Sequence, residues 1–479
     1  MDRLMEKILS LELLEKIIRM ELFLERASLE SQEPDLRVIN VYKSVVESIK
    51  KSLQYPLRKF RDDYGDMEEY EYRSCMKRLM DAFNSLDLVV HAHLSFIHGD
   101  WTLPETYTFI KGLFRPEDEI SIVLSDTYMF EEANLSEFFE SQLYIPYKGG
   151  DERKTTLFLP KIEVMNPLNW TILVHEMGHT MKKPLEDIFT HTEIGEMLVS
   201  DEGRRILDSW TEEICSDLIS LKILGPAYLS SFITFVLLLG SQPGLENITT
   251  SHPDPRFRIN IMKDVLEKNS IDLPFAQESL FQEYGDIVNF YDHIFEERCR
   301  FEQRYMIDEV KEEPMFPLVY QRFRDLIYEK VEEITPEEIC YSDIEKDKTH
   351  NLVGMIKDKI PISSYREIDQ KKVIDTLDKV EKDLDSIAKK DAISKKMKRI
   401  LAMMKEEPNS FSEIINAGWL YKCEIVYPKM TQVFFVDPID SPKAFSDAVE
   451  EYKKEIVKLD ELLRKSIETA HIHGIFGKR

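Results

Sequence analysis

Two histidines four residues apart, His175 and His179, with Glu176 beside the first, constrain this chain more than any other feature. Residues four apart on an α-helix lie one above the other on the same face. Two imidazoles can therefore converge on one metal ion while Glu176 reaches the water beside it. The surrounding residues favour a helix on separate grounds. Asn166 suits an N-cap, and Pro167 suits the first helical position, where a missing N–H costs nothing. Ile172, Leu173, Val174 and Met177 supply apolar flanks that would bury the helix. A merely solvated face would be preceded by polar residues, and here the run is Ile-Leu-Val. Gly178 gives up about 1 kcal/mol of helix propensity against Ala, which predicts that the space it leaves between the two histidines is needed.

Downstream, a helix predicted over residues 204–224 carries Trp210, Glu213, Ile214, Asp217 and Leu221 on one face. Unpaired acids on an apolar surface are costly to bury. A metal ion accounts for Glu213, and a metal-bound imidazole accounts for Asp217, because such rings usually donate their second N–H to an acceptor. His-Glu-x-x-His followed by Glu-x-x-x-Asp resembles the gluzincin metallopeptidases, the thermolysin-like group. That resemblance implies a single zinc ion held by His175, His179 and Glu213, with Glu176 as general base and Asp217 orienting His175. Glu212 competes for the third position, although its partner four residues on is Ser216 and not an acid.

Residues 251–259, Ser-His-Pro-Asp-Pro-Arg-Phe-Arg-Ile, are similar to the His-Pro…Arg segment of the CAAX prenyl endopeptidases and the HtpX heat-shock peptidases. Those enzymes are membrane proteins. Here the longest apolar run, residues 227–239, contains two Ser and a Thr and is too short to cross a bilayer. A purely architectural reading stands beside the resemblance, with Asp254 capping, Pro255 opening a helix and Arg258 a surface charge. In the implied hydrolysis of a peptide bond, a donor besides zinc must meet the tetrahedral intermediate. Arg258, His252 and Tyr228 are candidates in that order. Strand-like runs at 120–124, 143–147 and 155–159 precede the helix, with Gly149-Gly150-Asp151 as a turn. Pro146 marks 143–147 as an edge. Leu143, Tyr144 and Ile145 are thus the expected strand for pairing with substrate main chain, against the simpler reading of a surface hairpin.

The chain of 479 residues, 43% of them hydrophobic, can bury a large core. Three regions are expected: a helical one over 1–98, a zincin-like metallopeptidase domain over 99–270, and a second helical one over 271–479. The expected fold is α+β and predominantly α, with a small mixed sheet beside two metal-binding helices and helical domains flanking them. Leu4, Ile8, Leu11, Ile17, Leu22 and Leu24 predict a long amphipathic first helix. In the last region, 373–404 reads as a coiled-coil-like hairpin, 420–427 with 431–436 as a short β-hairpin, and 442–471 as a final helix. His91, His93 and His98 read as ordinary polar residues and not as a second metal site.

A net charge of −26 argues against a nucleic-acid partner and against docking on anionic lipid. Five cysteines, odd in number and without paired spacing, fit a reducing compartment. Met1-Asp-Arg-Leu-Met-Glu-Lys lacks the basic start and apolar core of a signal peptide, so the expected location is cytoplasmic. The expected partner is a peptide or protein substrate, with a protein partner or an oligomer open to the helical regions. Peptide deformylases share the metal helix but take a Cys ligand from upstream of it, and here only the distant Cys75 lies upstream. A rival of another class is a helical interaction scaffold with a structural, regulatory or vestigial zinc. A structural zinc needs a fourth protein ligand, and no further Cys or His stands at suitable spacing near Glu213.

Overall fold

The computed structural model describes residues 4–30, 33–53, 104–113, 119–125, 131–134, 154–181, 185–190, 201–239, 255–268, 411–427 and 441–477, with short runs and single residues between them. Helices dominate. α1 (Leu4–Glu30) packs on α2 (Glu33–Ser52), and α3 (Pro104–Leu113) leads into three strands, β1 (Glu119–Ser125), β2 (Glu131–Asn134) and β3 (Lys154–Pro160). α4 (Thr171–Gly178), α5 (Leu185–Ile188), α6 (Asp201–Leu224), α7 (Pro226–Leu239) and α8 (Pro255–Lys268) follow, and α9 (Phe411–Tyr421) and α10 (Pro442–Gly477) complete the described helices.

The strands form one mixed sheet in the order β1-β3-β2. β1 runs parallel to β3 with Glu119 opposite Lys154, and β2 runs antiparallel with Glu131 opposite Phe158. Alternation explains β1: Ile120 is buried and Ile122 and Leu124 are half-buried, while Ser121 and Val123 face out. β3 is central, and Thr155, Thr156, Leu157 and Leu159 are all buried. It packs on α4, which also touches β2, so the sheet backs the helix that carries His175.

α6 ends at Gly225, whose φ of 61° is the left-handed conformation that closes a helix cheaply only with glycine. Its N–H returns to the Leu221 carbonyl at 2.6 Å, and Pro226 opens α7 at once. The buried core is continuous from α1 to α10 and includes Leu13, Trp170, Trp210, Trp419 and Leu463. The hydroxyls of Ser230, Ser231 and Thr234 all donate to backbone carbonyls, so the apolar run of α7 lies inside the protein with its polar atoms satisfied. Among the described residues no helix is long and apolar enough to cross a membrane.

Several expectations need correction. The predicted amphipathic first helix is buried on every side from Glu12 to Met20, because Glu12, Glu15, Lys16 and Arg19 find charged partners inside the protein. Residues 420–427 form no hairpin: α9 runs on into a π-helical turn at Lys422–Val426. Lys422 is buried in that turn, 2.8 Å from Glu12 and 3.0 Å from Glu15. The candidate strand Leu143, Tyr144 and Ile145, the 373–404 hairpin, and His91, His93 and His98 lie outside the described residues.

Candidate metal centre

α4 is short and differs from the predicted helix at its start. It begins at Thr171 after Trp170, with no side-chain cap. Asn166 and Pro167 instead belong to a pair of tight turns, closed by Asn169 N–H to Asn166 O at 3.1 Å and Trp170 N–H to Pro167 O at 3.3 Å. From Thr171 to Gly178 every residue except Glu176 is buried. At His179 the chain tightens into a 3-10 turn, His179–Met181. The two imidazoles lie 4.9 Å apart between ring centres and nearly perpendicular, at 85°.

α6 crosses α4 closely and brings its acids to these rings. His175 Nε2 is 3.3 Å from Glu213 Oε2, and His179 Nε2 is 3.5 Å from Glu213 Oε1. A tetrahedral ion with ligands at about 2.0–2.1 Å requires ligand atoms about 3.3–3.4 Å apart. Donor atoms of His175, His179 and Glu213 all lie within 4.8 Å of one another, and the three side chains could hold a metal ion. Glu213, not its neighbour Glu212, is the carboxylate that joins both rings. His175 Nδ1 faces Asp217 Oδ1 at 3.0 Å, which leaves Nε2 for the ion.

The crossing explains Gly178. A Cβ there would lie 2.9 Å from Ser216 Cα and 3.0 Å from its Cβ, so the glycine makes room for the backbone of α6 and not, as predicted, between the histidines. Nothing in the motif spacing singles out Ser216. The available signal is a small residue on each of two helices that approach closely.

Arg258, in the first turn of α8, binds Asp217 with both Nε at 2.6 Å and Nη2 at 2.8 Å, and its Nη1 lies 3.0 Å from Glu213 Oε2. It is only 6% exposed and stacks over Phe232 at 4.5 Å, so it is no surface charge. Tyr228 is fully buried. Its hydroxyl donates to Asp217 Oδ1 at 2.6 Å and lies 3.1 Å from His175 Nδ1. Tyr228 stands behind His175, whereas Arg258 also reaches the ligand atoms, with its Nη2 3.5 Å from His175 Nε2. His252 differs: its side chain is 53% exposed, with Nε2 3.5 Å from Glu213 Oε1, and it stays outside the set of three. Glu176 is half-buried next to His175.

Burial opposes the Asp217 charge, but Arg258 and then His175 outweigh it and hold the carboxyl at about 2. Glu213 is likewise held well below the usual carboxylate range despite burial, by Arg258 and His175. Burial also works against a charge on His175, yet the Asp217 and Glu213 carboxylates push it up to about 10. Burial and the neighbouring His175 charge drive His179 down to about 3, so its ring is neutral.

The His175 shift has a testable consequence. Its protonated ring stabilises the metal-free fold fully below about pH 6.5, a contribution lost as the pH rises through about 10. A metal needs the lone pair that this proton occupies. Metal affinity should therefore strengthen about tenfold per pH unit between about pH 7 and 9, as read by chelator competition. A flat affinity over that range would mean that His175 is already neutral in the free protein.

The chain matches no family model, no curated protein and no solved structure among those with which it was compared.

Proposed function

We propose that this protein is a zinc-dependent peptidase of the gluzincin type, with a zincin-like catalytic domain. One observation carries the reading: two imidazole Nε2 atoms flank the two oxygens of one buried carboxylate at 3.3 and 3.5 Å, and one ligand atom from each of the three side chains lies within 4.8 Å of the other two. Two nitrogens and an oxygen suit zinc. Among the described residues no fourth side chain joins the set, which leaves a position for substrate. A bound zinc ion supplies Lewis acidity, polarising a peptide carbonyl and making water ionise near neutral pH.

The protein's own residues would do the rest. Glu176, beside His175 and half-buried, takes a proton as the water oxygen attacks the carbonyl carbon, then returns it to the leaving amine nitrogen as the C–N bond breaks. His252 is the best placed of the three oxyanion candidates, because it is half-exposed beside Glu213. Tyr228 is engaged by Asp217 behind His175 and serves to fix it, while Arg258 spans Asp217 and Glu213 and holds both carboxylates in place. For substrate main chain, β2, an edge strand among the described residues that touches α4, is a second candidate beside Leu143 to Ile145.

Glu176→Gln keeps the ligands and removes the base. It should retain its zinc and lose about 10²–10⁴-fold in peptide turnover. Undiminished hydrolysis by that variant would exclude Glu176 as base.

A second reading has its own support. His175 and Arg258, both cationic, offset the charges of Glu213 and Asp217 without any metal, as expected of a helical scaffold with a vestigial site. His179 favours the metal: it presents a neutral ring nitrogen to Glu213, whose buried Oε2 accepts no hydrogen bond among the described residues.

A further inference from the structure

α4 has no side-chain cap of its own, and the hydrogen bonds of the turn that starts it converge on Glu163. One Glu163 carboxylate oxygen accepts from Asn166 Nδ2 at 2.7 Å and Asn169 Nδ2 at 3.0 Å. Its backbone carbonyl accepts from Asn166 N–H at 2.9 Å and Trp170 Nε1 at 3.1 Å. The other carboxylate oxygen meets Lys16 of α1, and both side chains are completely buried. A buried charge pair holds its place only when its geometry is good and its remaining lone pairs are satisfied, and here the two asparagines supply that satisfaction. Ser231 of α7 fastens the same turn from another side by donating to the Leu168 carbonyl at 2.8 Å.

We infer that Lys16 and Glu163 are positioning residues for the metal centre: the pair aims α4, so the first helix of the chain sets how well His175 and His179 meet Glu213. The inference rests on the metal reading above. Three residues along α1, Arg19 makes an equally buried pair with Asp460 of α10, with Nη2 3.2 Å from Oδ1, and no hydrogen bond of that pair reaches the α4 turn. Arg19 is also held by Glu15 and its charge reaches Glu163, but neither Arg19 nor Asp460 bonds to the turn, so this pair is a comparator that separates hydrogen bonding at the turn from buried charge near it.

The test is cobalt(II) binding to the full chain, read as affinity and as the visible d–d spectrum, beside thermal unfolding. The variants are Lys16→Met with Glu163→Gln, Arg19→Met with Asp460→Asn, and Asn169→Ala. Removing both charges of the first pair should weaken cobalt binding about 10–100-fold and alter the spectrum. Removing both charges of the comparator should change thermal stability alone. Asn169→Ala leaves the Lys16–Glu163 pair whole and should still weaken binding about tenfold, which decides the matter if the first double variant does not fold. Wild-type affinity and spectrum in Asn169→Ala, or in a folded Lys16→Met/Glu163→Gln protein, would overturn the inference alone. A wild-type protein that takes up no cobalt would overturn the metal reading and this inference together.

Discussion

Truncating Asp217 to Ala should destabilise the protein by about 3–5 kcal/mol, a large part of the total for a domain of ordinary stability. Asp217 accepts two bonds from Arg258 and one from Tyr228 and faces His175, all of them buried. Without it a buried guanidinium loses its bidentate partner, and the desolvation that Asp217 offset remains. Asp217→Asn keeps the shape but not the charge, so it separates the two contributions. That variant should fold and bind metal about 10–100-fold more weakly, because the charged acceptor that fixes the His175 ring is replaced by a weaker, neutral amide. Urea unfolding and chelator competition measure the two effects. A loss below about 1 kcal/mol in Asp217→Ala would mean that water reaches Arg258 freely.

The second large effect is expected at Gly178. Replacing a helical glycine by Ala ordinarily gains about 1 kcal/mol of propensity. Here the new Cβ would lie 2.9 Å from a backbone atom of Ser216, and a helix backbone cannot swing aside as a flexible side chain can. Overpacking of this kind costs about 1–3 kcal/mol, so the net sign is destabilising, and Gly178→Val should be worse than Gly178→Ala. α4 and α6 carry the ligands between them, so pushing them apart should also lower metal affinity. A second change, Ser216→Gly, should recover only part of the loss, because the closest atom is Cα and remains. Metal affinity at the wild-type level in Gly178→Val would separate the helix crossing from the site.

The parts legible in the sequence are those that depend on neighbours along the chain. The four-residue spacing of His175 and His179, the Glu213–Asp217 spacing, the Gly225-Pro226 helix break and the alternation of β1 each encode their geometry within a turn or two. What stayed hidden depends on partners far apart in the chain. Lys16 meets Glu163 at a separation of 147 residues, and Arg19 meets Asp460 at 441. A charge read along the chain looks solvated, and only the fold brings its partner to it. The predicted hairpin fails for the same reason: Lys422 is buried against Glu12 and Glu15, from the far end of the chain. Arg258 and Tyr228 lie within the anticipated region, but only the structure places Tyr228 behind His175, Arg258 between Asp217 and Glu213, and His252 half-exposed beside Glu213.

Metal analysis of the purified wild-type and His179→Ala proteins decides whether the site binds an ion. About one zinc per wild-type chain is expected for a single three-ligand site, and almost none in the variant, whose Arg258, Asp217 and Glu213 ion pairs are left whole. A metal-free wild-type protein that also refuses added zinc, or a variant that holds as much zinc as wild type, would contradict metal binding at this site.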